Sequence, residues 1–171
     1  LDAFADVIYQ VVDAEGTGTC AGVGQAVRLI PEKAPFMLVW SDLILPEGLV
    51  FPEDYGEEGE PTEDYVGISE TFPCRWSYRD GRFLEEPSSE QGVAGFFLFT
   101  DKGKIKDVPD SGELVRWMQK KGMVFQELGL AGTREFGLLE EYEKLGQEKC
   151  RPFNQISVQG DRLIKKPLDD Q

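Results

Sequence analysis

One stretch of this sequence constrains the fold more than any other. Residues 36–40 form a continuous apolar run of strand length, which is typical of a central parallel strand covered on both faces. Upstream, apolar residues recur at helical spacing over residues 19–30, and Pro31 ends that pattern. Residues 7–12 form a β-branched run before a Gly-rich turn. We therefore predict a βαβ unit, with residues 7–12 and 36–40 as neighbouring parallel strands and a right-handed crossover.

The rest of the chain continues the alternation of strands and helices. Apolar and β-branched runs predict strands at residues 65–68, 74–78, 81–84, 95–99 and 124–128. Ser111 and Thr133 are predicted caps of two helices, the second with a buried stripe of Leu138, Leu139, Tyr142 and Leu145. This order predicts the α/β class, with a Rossmann-like, mixed but mainly parallel sheet and helices on both faces.

Composition excludes several kinds of chemistry and partner. The chain has no histidine, which removes His-based triads and imidazole bases, so catalysis must use carboxylates, lysines, arginines or a metal. A formal charge of −14 argues against nucleic acid as a partner. Three scattered cysteines, Cys20, Cys74 and Cys150, favour a reduced cytoplasmic protein without structural zinc. No apolar run has the length of a membrane span, so we expect no membrane partner.

Much of the negative charge lies in one stretch. No basic residue occurs between Lys33 and Arg75, and residues 47–64 carry eight of the acids. The acids do not follow the spacing of a calcium loop, and the prolines and glycines disfavour a packed element. We therefore predict that residues 47–64 are exposed, mobile and not a calcium site.

Asp42 is the most informative candidate for chemistry. It follows the predicted strand at its carboxyl end, where open α/β sheets place their ligands. A carboxylate there is well placed to hold Mg²⁺ on phosphate groups, because hard cations take oxygen ligands. The alternative, equally open on the sequence alone, is an aspartate that caps the turn at the strand end.

Weaker candidates surround two turns. Gly18 and Thr19 lie between a predicted strand and a helix, where backbone N–H groups suit an anion or a base edge, although a plain βα turn explains them too. Glu85 could accept hydrogen bonds from sugar hydroxyls, or be an exposed acid before Pro87. Arg75 could pair with phosphate, or be a solvent-facing strand residue.

In this order, the motifs resemble the nucleotide-sugar pyrophosphorylases and related nucleotidyltransferases. The family's LGTA turn, helix, strand and GD sequence appear here as residues 18–21, the helix, residues 36–40 and Ser41-Asp42. Its VEKP and glycine-containing strand appear as residues 84–87 and 92–97. Its DVGT-like turn appears as residues 130–133. The likeness covers residues 6–146.

The resemblance implies a reaction and roles for residues. A sugar 1-phosphate, or phosphocholine, attacks the α-phosphate of a nucleoside triphosphate, pyrophosphate leaves, and Mg²⁺ neutralises the developing charge. Asp42 matches the metal-binding aspartate. The matches to substrate contacts are Gly18, Thr19, Glu85 and Gly95.

Departures from the family pattern are equally specific. Glu86 stands in place of the family's phosphate-binding lysine, and Leu130 in place of its second metal aspartate. The opening strand and the G-x-G-x-R loop that holds the triphosphate are missing. We expect the first βα units to be missing, and this piece of a larger polysaccharide or headgroup enzyme to be inactive alone. The alternative is a non-catalytic, nucleotidyltransferase-like binding or regulatory domain.

The tail carries a second resemblance. Residues 151–154, and a predicted hairpin that reaches Lys165-Lys166, look like the entry to an aminoglycoside-phosphotransferase or choline-kinase-like domain. We therefore expect two parts of the chain: a nucleotidyltransferase part, residues 1–148, and residues 149–171. The second part is either a terminal hairpin or the start of a fused kinase-like domain.

Overall fold

The computed structural model describes residues 10–46, 48–55, 62–147, 156–159 and 162–165. They belong to two compact units, divided between Arg134 and Glu135. The α-helices are α1 (Thr19–Val27), α2 (Leu114–Lys121) and α3 (Leu139–Gln147). The strands are β1 (Phe36–Val39), β2 (Leu43–Ile44), β3 (Tyr65–Ser69), β4 (Ser77–Arg79), β5 (Arg82–Leu84), β6 (Gly92–Phe99), β7 (Gln126–Gly129), β8 (Arg134–Glu135), β9 (Ile156–Gln159) and β10 (Arg162–Lys165).

The first unit is built on a six-stranded sheet. Its order is β5-β4-β6-β3-β7, and β1 also pairs with β6. Among the described strands of this sheet, β3 and β7 pair in parallel, and the pairings of β6 with β1, β3 and β4 and of β4 with β5 are antiparallel. The α/β class is therefore confirmed, but the sheet in the described part of the chain is mainly antiparallel.

The predicted βαβ unit is not formed by the described residues. Residues 10–12 are irregular, and residues 7–9 lie outside the described ranges. The described neighbour of β1 is β6, which runs antiparallel to it, with Val39 opposite Phe96. Residues of β1 are alternately half-buried and exposed, so this strand is not covered on both faces as predicted. An apolar run indicates where a strand lies, but it gives neither the cover on each face nor the direction of the neighbouring strand.

Two hydrophobic clusters lie in this unit. The first joins α1 and α2 to the sheet through Cys20, Val27, Leu114, Val115, Met118, Phe97, Phe99 and Phe125, among others. The second is centred on Ala94, Phe96, Leu98 and Leu130, and half-buried residues such as Leu43, Leu45, Leu49 and Tyr55 pack against it. The unit's two described helices thus serve the first cluster, and residues from the segment that follows β1 serve the second. Helices on both faces are not seen in this part of the chain.

Local signals located most elements. The hairpin turn at Asp80-Gly81 is confirmed, and both residues have positive φ angles (48° and 72°), as a tight two-residue turn requires. Gly122 ends α2 in the left-handed conformation, as predicted.

Other predictions for the helices need correction, and some residues of the predicted helices and tail lie outside the described ranges. The residue before α2 is Glu113 rather than Ser111, and α3 begins six residues after Thr133. Leu138, Leu139 and Tyr142 are more than 60% exposed, so they are not the buried stripe that we predicted, and the side chain of Leu145 lies outside the description. In the tail, β9 and β10 form the predicted antiparallel pair. Residues 160–161 between them are not described.

The acidic segment is only partly as predicted. Glu53 and Glu63 are exposed, but Asp64 is buried. One carboxylate oxygen of Asp64 accepts a hydrogen bond from the backbone N–H of Thr100 (2.8 Å), and the other lies 3.2 Å from Lys104 Nζ. Asp64 therefore joins the start of β3 to the chain that leaves β6. Within the described residues, no helix is both long and apolar enough to cross a bilayer.

We predict that Asp64→Ala destabilises the first unit by about 1.5–3 kcal/mol, because it leaves the partly buried N–H of Thr100 without its acceptor and removes a charged hydrogen bond. Urea unfolding followed by tryptophan fluorescence measures the change. Glu63→Ala is the matched control, since its side chain is exposed. Equal unfolding free energies for the two variants would contradict the role assigned to Asp64.

Candidate functional site

Asp42 lies in a turn that leaves β1. The backbone N–H of Trp40 donates to the carbonyl oxygen of Gly95 (2.9 Å), and that of Leu43 donates to the carbonyl oxygen of Trp40 (3.4 Å). Asp42 sits between these two anchors. Its Oδ1 atom is buried and has no hydrogen-bond partner among the described residues. Burying a carboxylate oxygen without a partner is costly, so this atom is a candidate for a ligand contact.

The donor set bears on which metal could bind there. Among the described residues, no group of three or more histidine, cysteine, aspartate or glutamate side chains is arranged to hold a metal ion. A dedicated all-protein cage of the calcium or zinc type is therefore not found in these ranges. Mg²⁺ makes a different demand, since it is usually bound by one or two carboxylates together with waters and substrate phosphates. One orphaned carboxylate oxygen fits that arrangement.

The Gly-rich turn before α1 packs against the loop that precedes α2. The backbone N–H of Gly112 donates to the carbonyl oxygen of Thr17 (2.8 Å), and that of Cys20 donates to the carbonyl oxygen of Gly112 (3.0 Å). Gly18 has a φ angle of 78°, and a Cβ atom there would lie 2.8 Å from the carbonyl carbon of Gly112. Glycine is required at this position both for its conformation and for the close approach.

Thr19 has a structural partner of its own. Its hydroxyl oxygen accepts a hydrogen bond from the backbone N–H of Leu114 (2.8 Å), the first residue of α2. Glu113, at the helix cap position, makes no side-chain capping bond. The hydroxyl therefore satisfies one of the N–H groups that a helix start leaves free, although it comes from a residue 95 positions earlier in the sequence.

A polar groove of about 300 Å³ runs beside this turn. It is lined by Glu15, Gly16, Ala21, Gln25, Arg28 and Asp110. Arg28 lies 3.9 Å from Asp110, and both side chains are largely exposed. The lining thus combines one cation with two acids, which is a poor match to the dense positive charge that a triphosphate needs.

Glu85 and Arg75, both predicted from the sequence, are in contact. The Oε1 atom of Glu85 accepts hydrogen bonds from the guanidinium groups of Arg75 and Arg116. Hydrogen bonding and charge from Arg75, and then from Arg116, hold the pKa of the Glu85 carboxyl below its ordinary value, although partial desolvation opposes them. Arg116 also lies over the Trp76 ring, with Cζ 5.8 Å from the ring centroid.

Gly95 is covered by an aromatic ring. It has a φ angle of 79°, and a Cβ atom there would lie 2.6 Å from Cγ of Trp40 and nearer still to two other atoms of the indole. Real Cβ atoms do not approach neighbours so closely. The indole of Trp40 therefore occupies the space where a side chain at residue 95 would project.

The structure thus links the predicted residues in pairs. Arg75 meets Glu85, and Gly95 is joined to the turn of Asp42 through Trp40. Sequence reasoning missed Arg116 and Trp40 as participants. Nothing local in the sequence could have found them, because Arg116 is 31 residues from Glu85 and Trp40 reads as the end of an apolar strand.

We predict that Thr19→Ala destabilises the protein by about 1 kcal/mol, the usual cost of a lost helix cap. Thr17→Ala is the control, because Thr17 contributes its backbone carbonyl to this contact and that carbonyl is retained. Differential scanning calorimetry of both variants makes the comparison. If Thr19→Ala has the melting temperature of the wild type, the hydroxyl is not a significant cap and is free for a ligand.

We also predict that Arg75→Ala raises the pKa of the Glu85 carboxyl, and that Arg116→Ala raises it less, because each removes a cation that favours the ionised form. A carbon-detected NMR titration of the glutamates measures this, with Lys120→Ala as the control. Since the folded-state pKa is lowered, the associated stability is present above the unfolded-state pKa and is lost as pH falls through the folded-state value. An unchanged titration in Arg75→Ala would contradict the contact.

Comparison with known proteins bears on the fold alone. No family model matches the sequence, and no curated protein does. Among solved structures, the chain is similar to the crystal structure of HddC from Yersinia pseudotuberculosis, with a TM-score of 0.59 and 18% sequence identity. The match covers 84% of this chain and 70% of HddC. At that identity the likeness establishes a shared fold over most of the chain.

Proposed function

We propose that this chain is part of a magnesium-dependent nucleotidyltransferase. It transfers a nucleoside monophosphate from a nucleoside triphosphate to a sugar 1-phosphate or a phosphocholine-like acceptor, and releases pyrophosphate. The observation that carries the proposal is the buried carboxylate oxygen of Asp42 after the end of β1, which has no partner in the described part of the chain. A turn cap would have its oxygens bonded to nearby N–H groups, whereas a ligand for a metal leaves an oxygen available.

In this proposal each named residue has a defined task. Bound Mg²⁺ would supply charge neutralisation on the phosphates, and Asp42 is the residue that holds it. Gly18 and Thr19 place backbone N–H groups near the base and sugar. Arg75 and Glu85, already in contact, present a cation and an acceptor to the phosphorylated substrate.

The finer aspects of the fold and setting belong to the same proposal. The complete domain would be Rossmann-like, with further parallel strands beside the outer edge of β1. Supporting this, an apolar groove of about 260 Å³ lies between α1 and β1, and Met37 on that strand is 49% exposed. We place the protein in the cytoplasm, because Cys20 is a buried free thiol.

A second candidate is a nucleotidyltransferase-like domain that binds or regulates without turnover. Three observations favour it. Leu130, at the position of the family's second metal aspartate, is fully buried in the second cluster and cannot bind a metal. The Thr19 hydroxyl caps α2, and the two hydrogen bonds from arginines occupy Oε1 of Glu85.

We predict that Asp42→Asn in the complete protein lowers the rate of pyrophosphate release by at least about a hundredfold, since one metal ligand in phosphoryl-type transfer contributes several kcal/mol. Thermal stability should change little, because Asn keeps the size and the capping ability of Asp. Initial rates and melting temperatures are measured on the same samples. An active, equally stable variant would make Asp42 a cap and favour the non-catalytic alternative.

We further predict that this 171-residue chain alone releases no pyrophosphate from any nucleoside triphosphate mixed with a sugar 1-phosphate. Its sequence contains neither a G-x-G-x-R loop nor a GxxxxGK[ST] loop to hold the triphosphate. A coupled phosphate assay with each of the four nucleotides tests this. Turnover above the level of an Asp42→Asn control would show that the chain holds the triphosphate by other residues.

A further inference from the structure

The resemblance matched Gly95 to a substrate contact, but in the structure the group that lies against Gly95 is the indole of Trp40. Because a Cβ atom at residue 95 would lie inside the indole, a ligand cannot approach Gly95 from that side while Trp40 is in place. A hydrogen bond from the backbone N–H of Trp40 to the carbonyl oxygen of Gly95 also joins the two residues. Gly95 therefore has a role that the resemblance to the nucleotidyltransferases does not supply.

The same tryptophan begins the turn that carries Asp42. Trp40 packs against the first hydrophobic cluster, and Leu43 packs against the second. Asp42 is thus held between two residues that are anchored in different parts of the core. Because no described residue donates a hydrogen bond to its buried Oδ1 atom, the carboxylate relies on these anchors for its orientation. Whatever fixes Trp40 also fixes the direction of Asp42.

We propose that Gly95 is a positioning residue for the metal carboxylate. It allows the Trp40 indole to lie directly against β6 at residue 95, and the indole in turn fixes the turn that carries Asp42. This inference rests on the proposed metal role of Asp42, and it replaces a direct contact between Gly95 and substrate with an indirect one. Groups that orient a metal ligand commonly change metal affinity by about 10–100-fold when they are altered.

The experiment is a double-mutant cycle in the complete protein. Mn²⁺, which is paramagnetic, serves as the probe together with inorganic pyrophosphate, and its binding is followed by water proton relaxation without any turnover. The variants are Gly95→Ala, Trp40→Leu and their combination. Gly122→Ala is the matched control, because Gly122 also has a positive φ angle (65°) but has nothing within 4 Å of an added Cβ. This control separates the cost of placing alanine at a positive φ angle from the clash between its Cβ atom and the indole.

We expect Gly95→Ala and Trp40→Leu each to weaken Mn²⁺ binding by about 10–100-fold, and Gly122→Ala to leave it unchanged. Both residues act through one contact. The Mn²⁺ affinity of the double variant should therefore be no lower than that of the single variant with the lower affinity. If the fold-losses of the two single variants multiply in the double variant, Gly95 contacts the ligand directly. Such a result, or unchanged binding in Gly95→Ala, overturns the inference.

Two further arms keep the outcome decisive. If Asp42→Asn leaves Mn²⁺ binding intact, the proposed function fails and the positioning role fails with it. If Asp42→Asn abolishes binding and Gly95→Ala does not weaken it, only the positioning role fails. Should Gly95→Ala not fold, Trp40→Leu alone carries the test, since an unchanged Mn²⁺ affinity in that folded variant would show that the indole does not orient Asp42.

Discussion

The first unit depends on one strand, β6. All eight of its residues are buried, and it pairs with β1, β3 and β4. Its side chains alternate between the two hydrophobic clusters, with Phe97 and Phe99 in the first and Phe96 and Leu98 in the second. Because a strand presents successive side chains to opposite faces, one apolar segment can serve both clusters at once. The helices, the Asp42 turn and the loop with Asp64 are all arranged around it.

The sequence predicted elements better than it predicted their arrangement. Strands β3, β5 and β7 and helices α1 and α2 lie close to the segments that apolar periodicity indicated, since periodicity depends on burial along one chain segment. The directions of strand pairing did not follow, because they depend on which distant segments meet. Asp64 shows the same limit: it follows the polar residues Thr62 and Glu63 in the sequence, and its partners are the distant residues Thr100 and Lys104.

The candidate site was predictable where a residue of suitable chemistry directly follows a strand in the sequence. Asp42 follows an apolar strand at its carboxyl end, and this local fact was enough to single it out. The partners of the other candidates were not readable, because Thr19 meets Leu114, Glu85 meets Arg116, and Gly95 meets Trp40 across long stretches of chain. A short polar motif therefore indicated which residues are constrained, but not whether a ligand or another part of the protein constrains them.

The cap on α2 has a consequence for how the chain reaches its native state. The acceptor for the first N–H of that helix comes from Thr19, 95 residues earlier, and an eight-residue helix is marginal in isolation. Its N-terminal turn is therefore completed only after a large loop has closed, and loop closure of this length is a slow, late event compared with local helix formation. The Gly-rich turn and α2 should consequently form and open as one cooperative element, so that amide hydrogens at Cys20, Gly112 and Leu114 exchange together.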